Sequence, residues 1–155
     1  MKKKICKDKL YELTTVEEKL VCIPAAKLCK EFIKEKALVI PSEKPSIEQL
    51  AKIIIKPEIT SYKLACTPEG KKVIIQGQII EKVFYVADKP EQTVHCAKFS
   101  FPICNFIKLK NTDKIKDIKI NIEEVIIQVD KQRTIEQCIL LFICIIPKKD
   151  CYNDC

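Results

Sequence analysis

The chain has 155 residues, of which 47% are hydrophobic and 32% charged. That balance excludes a disordered tail, and no apolar stretch reaches the roughly 18 residues of a membrane-spanning helix, so no membrane partner is expected. The formal charge of +7 rests on 27 lysines and a single arginine, Arg133, spread among acidic residues; readers of nucleic acid cluster their charge and favour the planar arginine fork, so no nucleic-acid partner is expected either.

The first 19 residues read as a basic arm, opening Met1-Lys2-Lys3-Lys4-Ile5-Cys6. No apolar run and no small-residue cleavage site follow, so synthesis in a cytosol without a signal peptide is expected. Pro24 then opens a stretch in which Ala25, Leu28, Cys29, Phe32 and Ile33 recur at helical spacing, with Lys27, Lys30, Glu31, Lys34 and Glu35 opposite. This predicts an amphipathic helix of about three turns, with Cys29 buried on its apolar stripe. Ala37 to Ile40 runs extended into Pro41, and the spacing of Ser46 and Gln49 is that of a capping box, which predicts a short helical turn.

From Lys52 the pattern becomes that of strands. Five apolar-rich runs cover about residues 52–66, 71–87, 92–109, 115–130 and 133–147, separated by Thr67-Pro68-Glu69-Gly70, Asp88-Lys89-Pro90-Glu91, Lys110-Asn111-Thr112-Asp113 and Asp130-Lys131-Gln132. Isoleucine at 26 positions and only two glycines fit the pleated, half-buried surface of a sheet. Gly70 suits a turn, and Gly77 a bulge or close backbone approach. In the fourth run Ile118, Ile120 and Ile122 share one parity and Val125, Ile127 and Val129 the other, so the strand either bulges at Glu123-Glu124 or passes between sheets. Short connections make neighbours antiparallel. The expected fold is mainly β within the α+β class: an antiparallel β-sandwich or strongly curved sheet of long strands, with the N-terminal amphipathic helix against it.

Ten cysteines occupy positions 6, 22, 29, 66, 96, 104, 138, 144, 151 and 155 without one Cys-x-x-Cys pair, and His95 is the only histidine. The knuckles of a structural zinc site are therefore missing, although cysteines alone could hold zinc if a fold gathered four. His95 and Cys96 are neighbours on a strand and point to opposite faces, which argues against a catalytic thiolate pair. The same alternation separates Glu123 from Glu124. No catalytic residue, cofactor or metal site is expected, and the chain does not read as an enzyme.

The segments Ala37 to Leu50, Gly70-Lys71-Lys72-Val73-Ile74-Ile75-Gln76-Gly77, Tyr85-Val86-Ala87, Val94-His95 and Phe101-Pro102 resemble the SPOCS domain of spore-coat assembly proteins from spore-forming bacteria. The resemblance covers about residues 20–147, leaving a tail over 148–155. The chain departs from the family at Ile103, in its cysteine density, and in ending without a LysM module. The resemblance implies synthesis in the mother-cell cytoplasm and deposition on the spore surface, where lysis exposes thiols to oxidant. It further implies a self-assembling structural protein of coat, exosporium or appendage, cross-linked by disulfides, whose partners are itself and other coat proteins. A monomeric adaptor that docks one coat protein onto another is the alternative. Cys6, Cys151 and Cys155 lie in polar termini and are the candidates for intermolecular disulfides. Cys138 and Cys144 sit among Ile139, Leu140, Leu141, Phe142, Ile143 and Ile145 and are expected, like Cys29, to be buried packing groups.

Overall fold

The computed structural model describes residues 11–13, 28–110 and 114–148. Seven strands follow in order: β1 (Tyr11–Leu13), β2 (Cys29–Val39), β3 (Ile47–Thr67), β4 (Gly70–Ala87), β5 (Val94–Lys108), β6 (Ile115–Asp130) and β7 (Thr134–Pro147). They form one sheet in the order β1-β3-β4-β5 and a second in the order β2-β7-β6. All pairings are antiparallel except that of β1, which runs parallel to β3 at Ile53–Ile55. At the sides β6 lies along β3 and β2 along β5, so the two sheets make a sandwich.

The amphipathic helix is the main correction. Residues 24–27 of that prediction lie outside the described residues, and from Cys29 onward the segment is strand, paired along its length with β7. The reason lies in the inner-facing positions of this edge strand. Lys30, Lys34 and Lys36 stand opposite Ile143, Ile139 and Gln137 and interrupt the inner alternation of Phe32 and Leu38, while Ile33 and Ala37 lie on the other face. Inward lysines protect an edge from stray pairing, and they also erase the period-two pattern that identifies a strand. Lys30 reaches across the seam to β5, donating to the Phe106 carbonyl at 3.1 Å. The helical turn predicted at Ser46 is likewise absent, since β3 begins at Ile47.

Within the long strands the period of two is clean. Ile53 and Ile55 of β3, Ile79, Val83 and Tyr85 of β4, Ala97 and Phe101 of β5, and Ile135, Ile139 and Leu141 of β7 meet in a core that is almost fully sequestered. A second cluster, built on Val73, Ile75, Ile107, Ile118, Ile143 and Ile145, fills the other end, and Phe32 and Ile120 touch both. Five register shifts interrupt the ladders, and two of them bear on features already visible in the sequence. One falls between Ile122 and Glu124, where β6 bulges and stays beside β7 rather than changing sheets. The other falls between Ile59 and Ser61 opposite Gly77, where a Cβ would collide with the Glu58 carbonyl oxygen. Gly70, at φ +116°, supplies the β3–β4 turn that only glycine adopts without strain.

Candidate functional site

One end of the sandwich gathers three connections: residues 40–46 between β2 and β3, 88–93 between β4 and β5, and 131–133 between β6 and β7. Backbone bonds tie them together, with Ile40 N–H donating to Arg133 O at 2.8 Å, Ile47 N–H to Gln132 O at 2.7 Å and Asp88 N–H to Ser46 O at 3.0 Å. The Tyr85 hydroxyl donates to Pro45 O at 2.7 Å, and its ring stacks on His95 with centroids 5.8 Å apart. Burial pushes the Tyr85 pKa up, partly offset by Arg133, so the hydroxyl remains a donor. The three non-glycine residues with positive φ among the described residues, Gln92, Lys131 and Gln132, all sit here. Such conformations cost energy and persist where surrounding contacts fix them. Of the residues singled out in the sequence, Tyr85 and His95 meet at this loop end, while Val94 beside them is exposed.

A buried carboxyl lies between the sheets. Glu81 is fully sequestered on the inner face of β4, and Gln137 of β7 donates its side-chain amide to Glu81 Oε1 at 2.6 Å. Glu81 Oε2 and Gln137 Oε1 have no hydrogen-bond partner among the described residues. Desolvation raises the Glu81 pKa to about 7, with the Gln137 hydrogen bond opposing the rise. Sequence reasoning passed over this residue, yet Glu81 has the parity of Ile79, Val83 and Tyr85, which was the signal available.

The structure distributes the thiols unevenly. Cys29 and Cys144, directly opposed on β2 and β7, form a disulfide with an S–S distance of 2.08 Å. Cys144 is fully buried and Cys29 half-buried. Cys138, expected in the core, lies on the outer face of β7 and is half-buried and free, because Ile139 and Leu141 take the inner parity. The candidate cross-linkers Cys6, Cys151 and Cys155 lie outside the described residues. Among the described residues the exposed thiols are Cys66, near the β3–β4 turn, and Cys104, on the outer parity of β5 between buried Ile103 and half-buried Asn105; Cys96 of β5 is half-buried. Alternation with Phe101 and Ile103 already marked Cys104 as outward.

The family model described as SipL, SPOCS domain, matches residues 46–130, more than half of the chain. The chain belongs to the SPOCS-domain family. No curated protein and no solved structure matches it. The SPOCS match runs from the last loop residue before β3 to the end of β6, a narrower span than the 20–147 expected. It takes in β3 to β6 but omits β2 and β7, the two strands that complete the second sheet. Membership points to a sporulation-related role and a spore-related location.

Proposed function

We propose that this SPOCS protein is a structural component of the bacterial spore surface that self-assembles into a layer or fibre cross-linked by disulfides. The observation that carries this reading is the SPOCS match over residues 46–130, joined by exposed thiols on a rigid β framework at Cys66 and Cys104. The protein is made without export in the mother cell, where thiols stay reduced, and is deposited on the spore surface; lysis then exposes it to oxidant. Cys6, Cys151 and Cys155 take part in the same cross-linking from the termini. Its role is architectural rather than catalytic.

Size-exclusion chromatography with and without reductant, followed by non-reducing gels, tests the proposal. Large species that lose covalent links in Cys66→Ser, Cys104→Ser and terminal-cysteine variants support it. A clean monomer under oxidising conditions at high concentration overturns it and favours the adaptor role.

A further inference from the structure

The two outer faces of the sandwich carry opposite charge. On the β1-β3-β4-β5 sheet, three successive rows of register read Lys52–Phe84–Cys96, Ile54–Lys82–Lys98 and Lys56–Ile80–Ser100. Their partners in alternation, such as Ile53, Ile55, Val83 and Ala97, are buried, so these rows face outward. Lys52, Lys56, Lys82 and Lys98 are all exposed, and they surround half-buried Ile54, Ile80 and Phe84. The acidic residues of this region lie at its margins: Glu12 of the short β1 stands in register with Ile54, and Glu58 comes in the next row, bound by the Gln78 amide at 3.3 Å.

The outer face of the β2-β7-β6 sheet is the counterpart. Its rows read Glu31–Phe142–Asn121, Ile33–Leu140–Glu124, Glu35–Cys138–Ile126 and Ala37–Glu136–Gln128. Glu31, Glu35, Glu124 and Glu136 are exposed, and no lysine or arginine falls in these rows; Lys119 comes in the next. The apolar centre is unusually open, with Ile33 61% and Ile126 68% exposed. A concavity of about 460 Å³ lies over Glu35, Ala37, Ile126, Glu136 and Cys138, with Lys36 also reaching its lining. Each face thus combines a hydrophobic middle with a marked excess of charge of one sign.

We infer that a second copy of this chain docks here, its lysine face on the glutamate face of the first, in an open head-to-tail stack. Like faces repel, since lysine would meet lysine or glutamate would meet glutamate; only the unlike pairing both buries the apolar centres and joins opposite charges. That contact is heterologous, leaves one unlike face free at each end, and propagates rather than closing at a dimer. The inference rests on the self-assembly reading and supplies its geometry. Charged edges do not compete, because the lysines of β2 discourage edge-to-edge pairing.

Sedimentation under reducing conditions tests the stack on the full chain. Association is expected at low ionic strength and to weaken at least tenfold, on the order of the screening expected, at about 0.5 M salt. One variant carries Lys56→Glu, Lys82→Glu and Lys98→Glu; another carries Glu31→Lys, Glu35→Lys and Glu136→Lys. All six positions are exposed, so the fold is retained, which circular dichroism checks. Each variant alone should associate at least tenfold more weakly, and an equimolar mixture should recover wild-type association. Wild-type assembly that ignores both salt and the reversals, or variants that stay apart when mixed, overturns the stack while leaving self-assembly standing. A wild type that remains monomeric under reductant, whether or not polyphosphate binds its lysine face, overturns the stack; one that stays monomeric under oxidising conditions as well overturns both.

Discussion

Gln137 of β7 donates its amide to Glu81 of β4 at 2.6 Å, and this bond crosses between the two sheets inside an otherwise apolar layer. It places the one fully buried carboxyl among the described residues where protonation and sheet packing are coupled. Burial raises the Glu81 pKa to about 7 against an ordinary value of 4.5. The folded state therefore holds the proton more tightly than the unfolded chain. Stability from this group is fully present below about pH 4.5 and is lost as pH rises through about 7, by an amount on the order of 3 kcal/mol. Glu81→Gln keeps the shape and remains neutral. Urea unfolding of the wild type should weaken between pH 5 and 8, whereas the variant should show a flatter profile and be the more stable protein at pH 8.

The Cys29–Cys144 disulfide joins residues 115 apart in sequence, across the edge of the second sheet. Closing so long a loop restricts the unfolded chain, and its removal is expected to cost about 2 to 4 kcal/mol. Cys29→Ser and Cys144→Ser should each lower the melting temperature of the oxidised protein, and reductant should lower the wild type toward the same value while leaving the variants unmoved.

Gly77 faces the Glu58 carbonyl across the β3 bulge, with an Ile103 side-chain carbon 3.3 Å from where a Cβ would stand. Because backbone rather than a flexible side chain blocks the space, Gly77→Ala should destabilise by roughly 1 to 3 kcal/mol through overpacking. Gly70→Ala loses stability by a different route, since its neighbourhood is open and only its positive φ is violated. Denaturant midpoints of the two variants measure both effects.

A fragment limited to residues 46–130 should not fold. It retains β6 but lacks β7, the central strand of the second sheet, and leaves Ile53, Ile79 and Tyr85 without their cover. A fragment spanning 28–148 includes every strand from β2 to β7 and should unfold cooperatively. Dispersion of amide resonances distinguishes the two.

Much of this architecture was legible from parity and punctuation. The five runs from residue 52 onward match β3 to β7 closely because their inner positions are mostly isoleucine, valine and other apolar residues, and the Glu123-Glu124 irregularity appeared directly as a shift of parity. Strand β2 was not legible. Its inner positions hold Lys30, Lys34 and Lys36, tolerable only because an edge strand lets their ammonium groups escape along the seam, and the remaining apolar residues then imitate a helix. The disulfide depends on the register between the first and last strands of the second sheet, and the opposite charges of the two faces depend on which strands share a sheet. Neither relation is local. Among the described residues Cys66 and Cys104 emerge as the exposed thiols because their strands present sulfur to solvent.

The partner of β2 is β7, and that choice orders the steps of folding. Strands β3, β4 and β5 follow one another through short turns and can zip as soon as they leave the ribosome. The second sheet cannot begin to enclose them until its central strand exists, and that strand is the last of the seven to be synthesised. A nascent chain thus carries a meander, complete from Lys108, whose isoleucine face stays bare until β7 has been made. Long-range pairing of this kind is slow and exposes the intermediate to misassembly. Closure of the sandwich therefore acts as a late checkpoint, and a ribosome stalled before residue 134 holds a protein whose sticky side has nothing to cover it.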